Sequence, residues 1–127
     1  MSSLLARGNA IIPITGNDLT DKEGYLLKES SGNLVLNDSA TAPARAVCLE
    51  GNTAAKNSSA IIIGSGQVVR LKAGGAITKF NQVTQKNDGT VIADAGSGAR
   101  VAVGIALETG VTDALIEVAL QTPTVLS

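Results

Sequence analysis

Histidine and tryptophan are absent from this 127-residue chain, cysteine occurs once, and aromatic residues make up 2% of it. Without histidine, the commonest general base and the commonest transition-metal ligand are both missing, so Ser-His-Asp and Cys-His arrangements are excluded. A lone cysteine, Cys48, rules out an intrachain disulfide and a cysteine-built zinc site. Charge of either sign is sparse: ten basic and eleven acidic residues are scattered singly, for a formal net charge of −1. No stretch concentrates Lys or Arg, and Tyr25 and Phe80 are the only aromatics, so both the electrostatic footprint and the stacking platforms of a nucleic-acid binder are lacking. No apolar run approaches the ~20 residues of a membrane-spanning helix. The opening "MSSLLARGNAIIPITG", whose first charged side chain is Arg7, does not have the layout of a signal peptide. The expectation is a protein with no metal, no cofactor, no nucleic-acid partner and no membrane.

What the chain does have is Val, Ile, Leu and Ala in short runs, punctuated by Gly, Asn, Asp and Ser. A core filled by such residues suits thin layers of sheet. Ten runs read as strands: 10–14, 25–28, 34–36, 45–49, 60–63, 68–71, 83–85, 91–93, 101–107 and 115–120. Between them lie explicit turn sequences such as Ser31-Gly32-Asn33, Asn87-Asp88-Gly89 and Gly96-Ser97-Gly98. No window carries a helical period; short turns near Thr53–Asn57 and Asn17–Lys22 are the best helical candidates. The fold class predicted is all-β, a compact β-barrel or β-sandwich of about ten short strands. The length fits one domain, with residues 1–10 as an N-terminal arm and 11–127 as the β-body.

The body also shows a faint internal repeat, 11–63 against 68–120. Displaced by 57 residues, Ile11-Ile12 and Ile14 fall on Val68-Val69 and Leu71, Leu26 on Val83, Gly32 on Gly89, and Leu34-Val35 on Val91-Ile92. One further residue brings Val47-Cys48-Leu49-Glu50 onto Ile105-Ala106-Leu107-Glu108. Identities are few; the recurring order of strands and turns carries the reading of two similar β units.

In the second unit, Val101, Val103 and Ile105 alternate with Ala102, Gly104 and Ala106, giving one bulky and one small face. A turn at Thr109-Gly110 then leads into Leu115–Leu120. A small-residue face invites close approach of another layer or another subunit, which points to a homo-oligomer.

Each candidate for chemistry has a plainer reading. Cys48 lies in an alternating strand and reads as a small core hydrophobe. Lys56 near Ser58 and Ser59 reads as a polar loop rather than a Ser-Lys dyad. None of the glycine-rich turns is followed by Lys-Ser or Lys-Thr or opens a helix, so phosphate-cradle signatures are unmet. Asp18, Asp21 and Glu23 do not follow the calcium-loop pattern and read as a solvated loop. Asn37-Asp38-Ser39 and Asn57-Ser58-Ser59 fit a glycosylation sequon, which has little force without a secretion signal. No Met-Lys pair marks a lipoyl or biotinyl hairpin.

The order "GQVVRLKAGGAITKF", "NDGTVIADAGSGARVAVGIALETG", "DALIEVALQ" resembles the decoration, or capsid cement, proteins of tailed bacteriophages. The matching positions are Gly66, Val68, Val69 and Leu71, then Gly89 and Val91, then Gly104, Ala106, Leu107 and Glu108, and finally Ile116, Val118, Ala119 and Leu120. The resemblance covers the second half well and the first half through the repeat. It implies a protein made in the host cytoplasm that binds the outside of an assembled capsid, commonly as a homotrimer. There it would contact the major capsid protein and reinforce the shell against packaged DNA. It supplies no catalytic residues. A fibre or receptor-binding β-module of a virion is the alternative. The docking residues expected are those of an N-terminal arm able to add itself to a sheet edge: Ser2, Ser3, Leu4, Leu5, Ala6, Arg7, Ile11 and Ile12. The competing reading makes 10–14 the first core strand and 1–8 a tail.

Overall fold

The computed structural model describes residues 11–127. Ten strands run in order: β1 (Ile11–Ile14), β2 (Leu26–Ser30), β3 (Asn33–Leu36), β4 (Ala46–Glu50), β5 (Ser58–Ile62), β6 (Val68–Lys72), β7 (Gln82–Gln85), β8 (Val91–Ala93), β9 (Arg100–Ala106) and β10 (Leu115–Leu126). All pairing within the sheets is antiparallel, and no helix forms among the described residues. The fold is all-β. The two stretches expected as helical are single turns, closed by Lys22 N–H on the Leu19 carbonyl and Lys56 N–H on the Thr53 carbonyl. Glycines that separate the strands, among them Gly32, Gly66, Gly89 and Gly96, have positive φ, the left-handed conformation that their lack of a Cβ permits.

The strands form two five-stranded sheets, ordered β1-β5-β4-β2-β3 and β6-β10-β9-β7-β8. The second order is the first displaced by five elements, and the registers correspond too. Ile11 faces Ile61 as Val68 faces Ala119, and Val47 faces Ile61 as Ile105 faces Ala119. Leu26 faces Val47 as Gln82 faces Ile105, so pairing sets Leu27, rather than Leu26, at the place of Val83. Even the loop before the second strand recurs. Gly24 and Phe80 donate their N–H to the Cys48 and Ala106 carbonyls, and both have positive φ.

Each sheet curls until its outer strands meet. In the C-terminal sheet, Gly74 N–H donates to the Val91 carbonyl at 2.7 Å, beside a parallel bridge of Ala73 with Val91. In the N-terminal sheet, among the described residues, that seam is spanned by side chains bonded to backbone: Asn17 Nδ2 donates to the Leu34 carbonyl at 2.7 Å and Asn33 Nδ2 to the Thr15 carbonyl at 2.9 Å. Inside the N-terminal curl lie Ile14, Leu19, Leu27, Leu34, Ala46, Cys48 and Ala60. Leu26, Val47 and Ile61 have the opposite parity and point outward. They join Ala44 in one cluster with the interior of the C-terminal sheet, including Leu71, Val83, Val103, Val118 and Leu120. The outer wall of one sheet is therefore packed on the other. This explains why Ala46, Val47 and Cys48 are buried in succession where a half-buried strand would alternate.

Three expectations need correction. Thr109-Gly110 is not a hairpin turn: Gly110 pairs with Ile77, and the chain reverses later, where Asp113 takes positive φ. The small face of β9 is not a free surface either. Ala102, Gly104 and Ala106 are all buried, and a side chain at Gly104 would collide with the Ala119 carbonyl oxygen. The exposed residue of β9 is Ile105, on the other face. Finally, β10 continues to Leu126 through Pro123, because a register shift between Leu120 and Thr124 falls where the proline lacks its N–H.

Candidate functional site

The residues weighed for chemistry are held apart or held inert. Cys48 is buried inside the N-terminal curl, and burial, with the Glu23 carboxylate adding to it, pushes its thiol up to about 11. A thiol so placed stays protonated at neutral pH and packs as a hydrophobe. Ser58 is buried with its Oγ accepting from Asn52 N–H, which leaves no dyad with the exposed Lys56. Asp18 closes a local turn: its Oδ1 accepts from the hydroxyl and the N–H of Thr20, and these bonds hold its carboxyl below the usual range. Glu23 instead accepts the Gly51 N–H. No group of three His, Cys, Asp or Glu side chains gathers among the described residues. Asn37 of the first sequon is buried and donates to the Ser39 carbonyl, out of reach of a glycosylating enzyme.

What the fold does build is a contact between its two halves, and the same construction left open. Gln85 is 2% exposed and clamps the loop before β4. Its Oε1 accepts the Ala44 N–H at 2.8 Å, while its Nε2 donates to the Ser39 carbonyl at 3.0 Å and the Ala42 carbonyl at 2.8 Å. A second contact fills the seam between β6 and β8. There Lys72 N–H donates to the Gly24 carbonyl at 2.9 Å, and Leu26 N–H donates to the Gly89 carbonyl at 2.8 Å. The backbone segment Gly24–Leu26 thus sits between two strand ends like a short extra strand. The approach is close enough that a side chain at Gly24 would strike Leu115, and one at Gly89 would strike Leu36 and Tyr25.

At the corresponding seam of the N-terminal sheet the surface opens into a groove of about 370 Å³. Ile12, Leu34 and Ile62 form its apolar floor; Gly32, Asn33, Glu29 and Arg45 form its rim. Position for position these residues match Val69, Val91, Leu120, Gly89, Thr90, Gln85 and Val103, most of which lie under the N-terminal sheet. Glu29 Oε1 accepts the Gly32 N–H at the rim. Arg45 forms no ion pair with another described residue.

Of the expected arm residues, Ile11 and Ile12 belong to β1, paired with Ile61 and Ala60 at the edge of the sheet; Ser2, Ser3, Leu4, Leu5, Ala6 and Arg7 lie outside the described residues. Ile12 also lines the groove. The groove itself and the Gln85 clamp are not legible in the sequence, because their members come from strands far apart in the chain. Glutamine in the short run 83–85 gives no sign that it is buried.

No family profile and no curated protein sequence matches the chain. Its fold is similar to that of the N base of head fiber gp8.5 of bacteriophage phi29, known from a crystal structure. The superposition has a TM-score of 0.65 at 12% sequence identity and covers 94% of this chain and 100% of that one.

Proposed function

We propose that this chain is a structural protein of a tailed-phage virion, seated on the outside of the capsid as a decoration protein that reinforces the shell. The observation that supports this reading is the likeness over nearly the whole length of both chains to the base of a phage head fiber. It agrees with the sequence resemblance to capsid cement proteins, and with a fold whose potential nucleophile is sealed and whose carboxylates are dispersed. On this reading the chain is not an enzyme and binds no cofactor or metal. Its partners are the major capsid protein and further copies of itself, in a homotrimer. Residues 2–12 reach the shell by adding an extended segment to a sheet edge, with main-chain hydrogen bonds supplying affinity. Many weak contacts repeated across a lattice then add up to firm attachment.

A second reading has its own support, because the similar structure is a fiber base: the chain would anchor a longer appendage instead of cementing the lattice. Both are tested by adding the purified protein to undecorated capsids and imaging them by electron cryomicroscopy, with a thermal or osmotic shell-rupture assay alongside. Regular occupancy with delayed rupture is the expected result. Occupancy without any gain in shell stability favours the anchor, and no binding to capsids removes both readings. Deleting residues 2–8 is expected to reduce occupancy while the β-body still folds; undiminished occupancy would dismiss the arm.

A further inference from the structure

We infer that the groove between β1 and β3 is the receiving half of a head-to-tail contact between copies of this chain. Its occupant is the outer wall of the C-terminal sheet of a second copy, around Phe80, Gln82 and Ile105. The argument starts from the contact already made within the chain. The N-terminal sheet presents Gly24–Leu26, Val47 and Ile61 to the seam and mouth of the C-terminal sheet, and its outward-facing Leu26, Val47 and Ile61 join the C-terminal interior there in one cluster. Because the two sheets share strand order and register, the chain carries both halves of this contact twice. One mouth and one wall are used internally. The other mouth is the groove lined by Ile12, Leu34 and Ile62. The other wall is the outer face of the C-terminal sheet, where Gln82, Ile105 and Ala119 stand in the register positions of Leu26, Val47 and Ile61.

That second wall is marked by what it exposes. Ile105 is 37% exposed and Phe80 is 69% exposed. Phe80 occupies the place of Gly24 and repeats its backbone, with φ of 73° against 82°. A bulky L-residue rarely holds that conformation, and glycine would serve the loop without strain. In the internal contact this place is held by glycine, and a Cβ added there would press on the end of the Leu115 side chain and on the Arg70 carbonyl oxygen. The counterpart of Leu115 beside the open groove is Asn57, a shorter side chain, so a Phe80 arriving there meets less obstruction. The floor of the groove is apolar and the rim carries one charge of each sign, Glu29 and Arg45, which suits a wall flanked by Arg70 and Glu117. A contact of this kind joins unlike surfaces, so it closes into a ring if the rotation permits and otherwise runs on as a chain.

The experiment is carried out in solution and needs no capsid, so it can fail while the virion reading survives, and the reverse. Sedimentation velocity of the full chain, from about 1 µM to about 1 mM, is expected to show concentration-dependent association, since an interface of this strength lies within that range. Phe80→Gly is the decisive variant. It removes the aromatic and relieves the backbone, so the monomer should melt no lower than wild type while association weakens by about tenfold or more. Ile105→Lys disables the wall and Ile12→Lys disables the groove. Each alone should be monomeric, and mixed together they should form a one-to-one dimer, the intact groove of one taking the intact wall of the other. A wild-type chain that remains monomeric at about 1 mM overturns the proposal. So does a Phe80→Gly chain that associates like wild type, or a mixture of the two lysine variants that yields no dimer.

Discussion

Replacing Gln85 with alanine tests whether a single polar clamp joins the two sheets. The wild-type side chain makes three hydrogen bonds to the loop before β4, at 2.8, 3.0 and 2.8 Å. The Ala44 N–H is the costly one to strand, because Ala44 is 2% exposed and water cannot replace the lost acceptor. A buried donor without a partner costs about 1–3 kcal/mol. The Ser39 and Ala42 carbonyls sit on a partly exposed loop and rehydrate, so each lost bond costs about 1 kcal/mol. Removing the one buried methylene adds roughly 1 kcal/mol. The expected loss is about 5 kcal/mol, a large share of the roughly 5–15 kcal/mol that holds a domain of this kind folded. Urea unfolding should show it as a lower midpoint, and hydrogen exchange should show lost protection of the Ala44 amide in particular. Gln85→Glu sharpens the test. It keeps an acceptor for Ala44 but faces two carbonyl oxygens with a carboxylate, so its folded-state pKa rises above the usual carboxylate range. Its deficit should therefore be smallest in acid, below the unfolded pKa, and grow as pH rises through the folded value. An alanine variant within about 1 kcal/mol of wild type, with Ala44 still protected, would refute the clamp.

The remaining predictions are narrower. The Cys48 thiol, raised from 9.0 to about 11 on folding, favours the folded state below its unfolded pKa, and that contribution is lost as pH climbs through the folded one. Unfolding free energy should fall by roughly 2 kcal/mol over that interval in wild type, and this component should be missing in Cys48→Ala, as measured by denaturant titrations on either side of it. Asp94 is held below the ordinary carboxylate range by its bond from Arg100 Nε and by the Gly96 N–H. Its stabilisation is therefore present above the unfolded value and lost in acid, so the stability gap between wild type and Asp94→Asn should close as pH falls below 3.8. Gly104→Val forces a side chain against the Ala119 carbonyl and the Val118 side chain on the neighbouring strand. It should cost about 3 kcal/mol or more, or prevent folding, as read by thermal melts; an unchanged melting temperature would mean that β9 and β10 are not so closely apposed.

The all-β class and the location of all ten strands could be read from the sequence, because both rest on local signals. Apolar runs such as Val91–Ala93 sit between residues that favour turns, and Gly32 and Gly89 take the left-handed conformation that such turns require. The inertness of Cys48 was legible for the same reason: it lies mid-strand between apolar neighbours, and the fold seals it. Where a local signal misled, a partner strand was the cause. The apolar run 115–120 stops short of Pro123, yet β10 continues past it, because a register shift against β9 falls between Leu120 and Thr124, where the proline lacks its N–H. Thr109-Gly110 reads as a turn, yet Gly110 is held by Ile77 from a distant loop. Which face of β9 is free was beyond the sequence altogether. Alternation says that Ile105 and Gly104 point to opposite sides, but a register shift against β7 and the packing of the C-terminal interior bury Val101 and Val103 as well, so that of the bulky set Ile105 alone is exposed. The clamp at Gln85, the segment lodged beside Gly89 and the groove floored by Ile12, Leu34 and Ile62 are also products of tertiary structure. Each depends on which outer wall meets which open seam. Sequence periodicity fixes the two faces of a strand, while the choice of face to bury is made by long-range packing between units.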